Sequence, residues 1–203
     1  MKIHLFYRHY NIDDISSNNK NRPDWFSFEE CFKNLLNTIK NNNDVILHVV
    51  MDGSIKSNWI EKYSKSFCAH EFNGGSDQAS SAFTYKLIEK LITKKQIQLN
   101  DLIYLTENDY IHQPNWVECV FDLYSTFGDL PGGYVSLYDH NDKYFLPMYE
   151  NLVSKIFTTN TKHWRTTPST CGTYIARASL MQQDLSDHLQ IVGDHNKWLH
   201  LNE

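Results

Sequence analysis

Glycine and proline are scarce in this chain, with 8 and 5 in 203 residues, and the 4 cysteines nowhere form a C-x-x-C pair. No Pro-rich or Gly-rich linker, no internal repeat and no shift in composition divides the sequence. The scattered Cys31, Cys68, Cys119 and Cys171 indicate neither a zinc cluster nor a disulfide framework, so reduced, buried thiols are expected. Long apolar runs are missing too. The strongest, residues 45–51, is interrupted by His48 and is too short to cross a bilayer. The opening residues, Met1 to Arg8, lack the apolar core of a signal peptide. Basic residues are the minority, with 19 Lys and Arg against 24 Asp and Glu and a formal net charge of -5. They gather on no stretch, so no nucleic-acid partner is expected. Together these absences point to a soluble, cytoplasmic protein with no transmembrane segment.

What is present is core material, 41% hydrophobic and 14% aromatic. That suits one globular domain. The hydrophobic period alternates along the chain. Residues 2–7 read as a first strand. Ser27 with Glu30 forms a capping box, opening a helix with Phe28, Cys31, Phe32, Leu35, Leu36 and Ile39 on one stripe. Residues 44–51 are a nearly continuous apolar run, as in strands buried on both faces of a parallel sheet. Residues 55–66 read as a weak helix and 67–72 as a short strand. The turn Asn73-Gly74-Gly75 leads into a helix from Ser76 that carries Ala79, Phe83, Leu87 and Leu91. A fourth strand spans 101–106. Pro114 suits the first turn of the next helix, which buries Trp116, Val117, Val120, Phe121 and Tyr124. Strands near 134–138 and 170–176 follow, then a helix from about Ala178. Such alternation predicts an α/β domain with a mainly parallel sheet flanked by helices. The polar stretch 11–22 is its one long loop, a length at which loops serve as lids.

Ligands of open parallel sheets bind off the carboxyl ends of the strands. That rule selects Arg8 after the first strand, Asp52 after the second, Glu107-Asn108-Asp109 after the fourth, and Tyr138-Asp139-His140 further on. Carboxylates converging on one edge repel each other and require a cation or a donor-rich ligand. Glu107 and Asp109 can offer hard oxygens to Mg²⁺ or Mn²⁺, which would bind a diphosphate in turn. The alternative is that Asn108-Asp109 is a plain turn and Glu107 is solvated. For Asp52 the alternative is a turn residue before Gly53.

Residues 103–109, an apolar strand ending in an acidic triplet, resemble the D-x-D motif of GT-A-fold glycosyltransferases, with Glu107 in place of the first Asp. Residues 168–177 (Pro-Ser-Thr-Cys-Gly-Thr-Tyr-Ile-Ala-Arg) resemble the segment that backs the donor sugar in that family. Ile191-Val192-Gly193-Asp194 resembles the segment whose Asp, at a helix start, is the catalytic base of the inverting family-2-like members. The ordered set spans nearly the whole chain. It implies a single GT-A-like domain over residues 1–203, complete or the N-terminal part of a longer protein. It also implies a metal-dependent transferase moving a sugar from a UDP- or dTDP-linked donor to a glycan or glycoprotein acceptor, with inversion. On that resemblance Asp194 is the base, Asp109 the main metal ligand and Glu107 an indirect one. Tyr7, Arg8, Asp52, Gly75, Asp77 and Asn108 would contact the nucleotide, and Mn²⁺ or Mg²⁺ would be the cofactor. For Asp194 the bland alternative is a helix N-cap. Asp77 opposes the attraction of a helix start for phosphate, so it is expected to hold Arg8 or a ribose. Trp164 is a candidate for stacking on an acceptor sugar, with core packing its alternative, and His48 is expected as a satisfied buried imidazole.

Two rival activities share parts of this pattern. A sugar nucleotidyltransferase would want a Gly-rich phosphate loop after the first strand, and residues 6–10 contain no glycine. A metal-dependent hydrolase would want several His and Asp ligands clustered at metal spacing, and no His-x-x-x-His pair occurs. A non-catalytic carbohydrate-binding domain of the same fold is the third alternative.

Overall fold

The computed structural model describes residues 1–10, 22–128 and 133–193. Strand β1 (Ile3–Tyr10) lies between β2 (Val45–Asp52) and β4 (Leu102–Thr106), while β3 (Cys68–Phe72) pairs with β2. All these pairings are parallel. A last strand, β7 (Tyr174–Arg177), runs antiparallel along β4, so the five-stranded order is β3-β2-β1-β4-β7. The central strands are buried at nearly every position because helices cover both faces. Ile3, Leu5 and Tyr7 of β1 face α1 (Phe28–Ile39) and α3 (Trp116–Phe127). Phe6 faces the other side, where α2 (Asp77–Thr93) packs with the C-terminal helices α5 (Ala178–Gln183) and α6 (Leu185–Gly193). Among the described residues no helix is long and apolar enough to cross a membrane.

Several local expectations need correction. Ser27 caps α1 by accepting from the Glu30 amide at 3.1 Å, but the Glu30 carboxylate pairs with Lys33, so the box is one-sided. Residues Trp59–Ser66 form a 3₁₀ helix rather than an α-helix. In α2 the buried stripe includes Thr84, Tyr85 and Ile88 as well as Leu87 and Leu91, while Phe83 is only partly buried. The helix touches α6 in addition to the sheet, which widens its covered face. Residues 134–138 form no strand: Val135 makes a single bridge to Ile175. Cys68 and Cys171 are exposed, against the expectation of buried thiols, whereas Cys31 and Cys119 are buried.

Between α3 and β7 the chain builds a small lobe that periodicity did not reveal. It holds a one-turn helix α4 (Asp142–Phe145), a 3₁₀ turn (Pro147–Tyr149) and a hairpin of β5 (Ile156–Thr158) with β6 (His163–Arg165). Strands of three residues carry too little pattern to read. Asp122 of α3 fastens the hairpin tip, accepting from the Thr161 amide and hydroxyl, each at 2.8 Å, and from the Asn160 amide group at 3.0 Å. Those donors, led by the Thr161 hydroxyl, draw the Asp122 carboxyl down to about 2. Trp164 of β6 packs against the α1/α3 core.

A row of imidazoles crosses the α2 face of the sheet. His4 Nδ1 lies 3.1 Å from His48 Nε2, and His48 Nδ1 lies 3.1 Å from His70 Nε2. His4 Nε2 faces Asp101 at 3.6 Å. A carboxylate only accepts, so a proton on Nε2 of each ring lets donors and acceptors alternate along the row. Burial pushes His48 down to about 3, and His9 and His112 down to about 4. These groups are neutral when folded, yet take up protons near 6.5 when unfolded. The stability they lend is therefore present above pH 6.5 and is lost as pH falls from there toward the folded values. At pH 5 each costs about 2 kcal/mol, and three together approach the whole stability of a typical domain. The melting temperature is expected to fall by on the order of 15 °C between pH 7 and pH 5. A His48→Leu variant should show a shallower fall; an equal slope in thermal denaturation would exclude His48 as a source.

Candidate functional site

Strands β1 and β4 end out of step. The last paired residues are Tyr7 and Thr106, after which β4 turns away, while β1 continues beside β2 until Tyr10 meets Asp52. The chain also changes direction across the sheet here, with β2 on one side of β1 and β4 on the other, so a crevice opens at the carboxyl edge. It forms a cavity of about 370 Å³ lined by Arg8, Asp52, Asp77, Glu107, Asn108 and Asp109, with His9, Tyr10, Ser76 and Ser80. Six predicted residues thus converge. Tyr7 is buried behind the wall, and Gly75 is exposed on the loop before Ser76.

Arg8 organises the crevice. It shares the strand face of Phe6, which turns it toward α2. Its guanidinium donates to Asp77 at 2.9 Å, to Ser81 at 2.6 Å and to Glu107 at 3.0 Å. The Arg8 side chain is only 10% exposed while that of Asp77 is 76% exposed, so the fork reaches from inside to the rim. Gly172, in the turn before β7, closes against this pair. A Cβ there would stand 3.1 Å from Glu107 Oε1 and 3.5 Å from Arg8 Nη2. That proximity gives a physical use for glycine within residues 168–177.

Asp52 ends β2 buried, with both oxygens engaged. Oδ1 accepts from the Gly74 amide at 2.8 Å and Oδ2 from the Gly75 amide at 2.7 Å. Gly75 adopts φ +72, and a Cβ on Gly74 would fall 2.6 Å from the Phe72 ring. The two glycines let the backbone wrap the carboxylate just before Ser76, which caps α2 through the Ala79 amide at 3.1 Å. This makes Asp52 a fastener of the loop at the mouth.

On the β4 side, Asp109 Oδ2 takes a 2.6 Å contact from Arg22, which lies over the Phe26 ring. Asn108 is buried, its amide group 3.0 Å from His9 Nδ1, and the Tyr7 hydroxyl donates to its carbonyl at 3.3 Å. Hence Tyr7 and Asn108 set the shape of the E-N-D turn from below. Tyr110 continues the wall, its ring 5.2 Å from that of Tyr138. His140 stands apart, exposed and 2.9 Å from Asp142.

Glu107 and Asp109 present hard oxygens to one cavity, the donor type that Mg²⁺ and Mn²⁺ take. Among the described residues no group of three or more His, Cys, Asp or Glu side chains could hold a metal ion. The pair fits a cation that completes its shell with waters and phosphate oxygens, not a cage made by protein alone. Asp194 and residues 11–21 of the expected lid lie outside the described residues. The expected helix start at Asp194 thus falls outside them too, and Gly193 lies in α6. Leu185, Leu189 and Val192 at helical spacing pack that helix against α2.

Sequence reasoning missed His9, Ser81 and Arg22 as parts of this site. Parity along β1 signals which face His9 and Arg8 take, once the covering helices are known. Nothing in the sequence signals the pairing of Arg22 with Asp109.

No protein-family model and no curated protein matches the sequence. Solved structures do match the fold. Residues 1–349 of S. aureus TarS superpose with TM-score 0.54 at 12% identity, over 91% of this chain and 49% of that one. The same fragment with UDP-GlcNAc gives 0.52 at 12% identity, over 91% and 47%. A 4-diphosphocytidyl-2C-methyl-D-erythritol synthase gives 0.49 at 11% identity, over 97% and 86%. The chain spans about half of the TarS fragment. The likeness to the TarS fragment, with the sheet order above, defines the class of fold: a single α/β domain, GT-A-like, with a mainly parallel sheet.

The Asp52 arrangement yields a stability prediction. Asp52→Ala leaves two amides without their charged acceptor, a loss of about 3 kcal/mol. The melting temperature should drop by roughly 6–12 °C, with Asp52→Asn in between. An unchanged melting curve for Asp52→Ala would refute the fastening role.

Proposed function

We propose that this chain is a metal-dependent glycosyltransferase that moves a sugar from a nucleoside-diphosphate donor, UDP- or dTDP-linked, to a hydroxyl of a glycan or glycoprotein. The observation that carries this reading is the convergence of carboxylates on one crevice. Asp52, Asp77, Glu107 and Asp109 line it together, with Glu107 and Asp109 two residues apart at the end of β4. Arg8 meets Asp77 and Glu107, and Arg22 meets Asp109. Carboxylate oxygens are the donors that a divalent cation takes. Bound with the nucleotide, such a cation would neutralise the departing diphosphate. Solved TarS structures with UDP and with UDP-GlcNAc support the choice of ligand class for this fold.

In this reading Glu107 and Asp109 supply the oxygens that hold the cation at the end of β4, and Arg8 keeps Glu107 in place. Asp194 is the proposed base. It takes the proton of the acceptor hydroxyl as that oxygen attacks the anomeric carbon, and the bond from that carbon to the diphosphate oxygen breaks on the opposite face. The sugar is transferred with inversion.

Titration calorimetry with UDP and dTDP, each with Mn²⁺, Mg²⁺ or EDTA, tests the site directly. Affinity should fall by at least tenfold in EDTA and in Asp109→Ala; equal affinity in all conditions would overturn the metal-bound nucleotide. Asp194→Asn should bind donor as the parent does while transfer falls about 10²–10⁴-fold. Retained transfer, or a product with retained anomeric configuration, would exclude the single displacement. Release of pyrophosphate from a nucleoside triphosphate and a sugar phosphate would instead select the nucleotidyltransferase.

A further inference from the structure

The small lobe between α3 and β7 holds a second cavity, about 650 Å³, larger than the crevice. Tyr144, Phe145 and Tyr149 line it, together with Glu150, Ser154 and Arg165. Tyr144 is 66% exposed and Phe145 70% exposed. Rings left this bare on a monomer mark a place of contact. Tyr144 and Tyr149 are held in place by neighbouring charges. Arg165 lies 5.3 Å from the centre of the Tyr144 ring, and Lys143 lies 4.7 Å from that of Tyr149. Asp139 locks one side, accepting from both the Tyr144 hydroxyl and Arg165. Asp142 holds Lys143 at 2.9 Å.

We propose that this groove binds carbohydrate and holds the glycan acceptor. The acceptor role rests on the glycosyltransferase reading above; carbohydrate binding does not. A pyranose ring offers a C–H face and a hydroxyl edge, and the groove offers the matching pair. Flat aromatic faces carry the negative quadrupole that C–H groups approach, while Glu150 and Ser154 supply hydroxyl partners in the same wall. The volume lies in the range of about 300–1,000 Å³ typical of small-ligand sites, with space for more than one sugar ring. A lipid surface fits less well. Of the exposed apolar side chains nearby, Phe145 and Leu146 line the groove, whereas Met148, Val153 and Ile156 lie off it, so the apolar surface is split rather than gathered on one face. The two cations are also engaged by Asp139 and Asp142 rather than offered to headgroups. The groove is joined to the crevice by a line of contacts. Tyr110, next to Asp109, packs on Tyr138, and Asp139 follows Tyr138 in the chain and holds Arg165.

The test is binding without nucleotide or turnover. Cellotetraose, maltotetraose, chitotetraose and sialyllactose are titrated into the full chain by NMR, with vesicles of phosphatidylcholine and phosphatidylglycerol as a separate arm. At least one oligosaccharide should bind, and Tyr144→Ala or Phe145→Ala should weaken it at least tenfold. Both variants should keep the parent's melting temperature and its affinity for UDP with Mn²⁺. No oligosaccharide binding, binding indifferent to both substitutions, or vesicle binding lost in the variants without any sugar binding would each overturn the proposal. Nucleotide binding measured beside it reports separately on the crevice, so either reading can fail alone.

Discussion

The ion pairing of Arg8 is the constraint on which the crevice depends. One guanidinium rising from the end of β1 reaches Glu107 at the end of β4 and Asp77 at the start of α2. Without it, the two carboxylates would lose the cation they share. The Arg8 side chain is largely shielded, so its interactions are less screened than those of a surface pair. The same contact also fixes how α2 opens, and through α2 how α6 packs. The Gly172 turn can close over the pair only because no Cβ intervenes.

The second organising contact is the Asp52 carboxylate with its two glycine amides. It spends both oxygens of one acidic residue on the backbone. Acidic residues at strand ends therefore divide into two kinds here. Asp52 stabilises the mouth, while Glu107 and Asp109 meet the side chains of Arg8 and Arg22 at the cavity wall. Proximity to the strand end does not separate them; only the neighbouring loop does.

Much of the sheet was legible because its strands are buried on both faces and so read as apolar runs. The helices α1 and α3 were legible from their stripes, and Ser27 and Ser76 from capping chemistry. The convergence of Arg8, Asp52, Asp77 and the Glu107–Asp109 turn followed from one rule, that parallel strands bring their carboxyl ends to one edge. The rest was hidden for physical reasons. The strands of the hairpin are too short to show a period, and Asp122 anchors it by contacts spanning nearly 40 residues. The antiparallel pairing of β7 with β4 and the bridge between Val135 and Ile175 are long-range contacts that no local pattern encodes. His4, His48 and His70 come together only through the register of three strands.

The offset between β1 and β4 has a consequence of its own. β1 outlasts its neighbour by the three residues from Arg8 to Tyr10, a step of about 10 Å at the rise of a strand. The depth of the crevice is thus set by where one strand stops, not by which side chains line it. Substitutions along the wall can alter what the site attracts, but they leave its reach unchanged. Extending β4 by a single pair in the same register would fill part of that step with backbone. The register between two strands therefore serves as the gauge of the largest group this edge can admit.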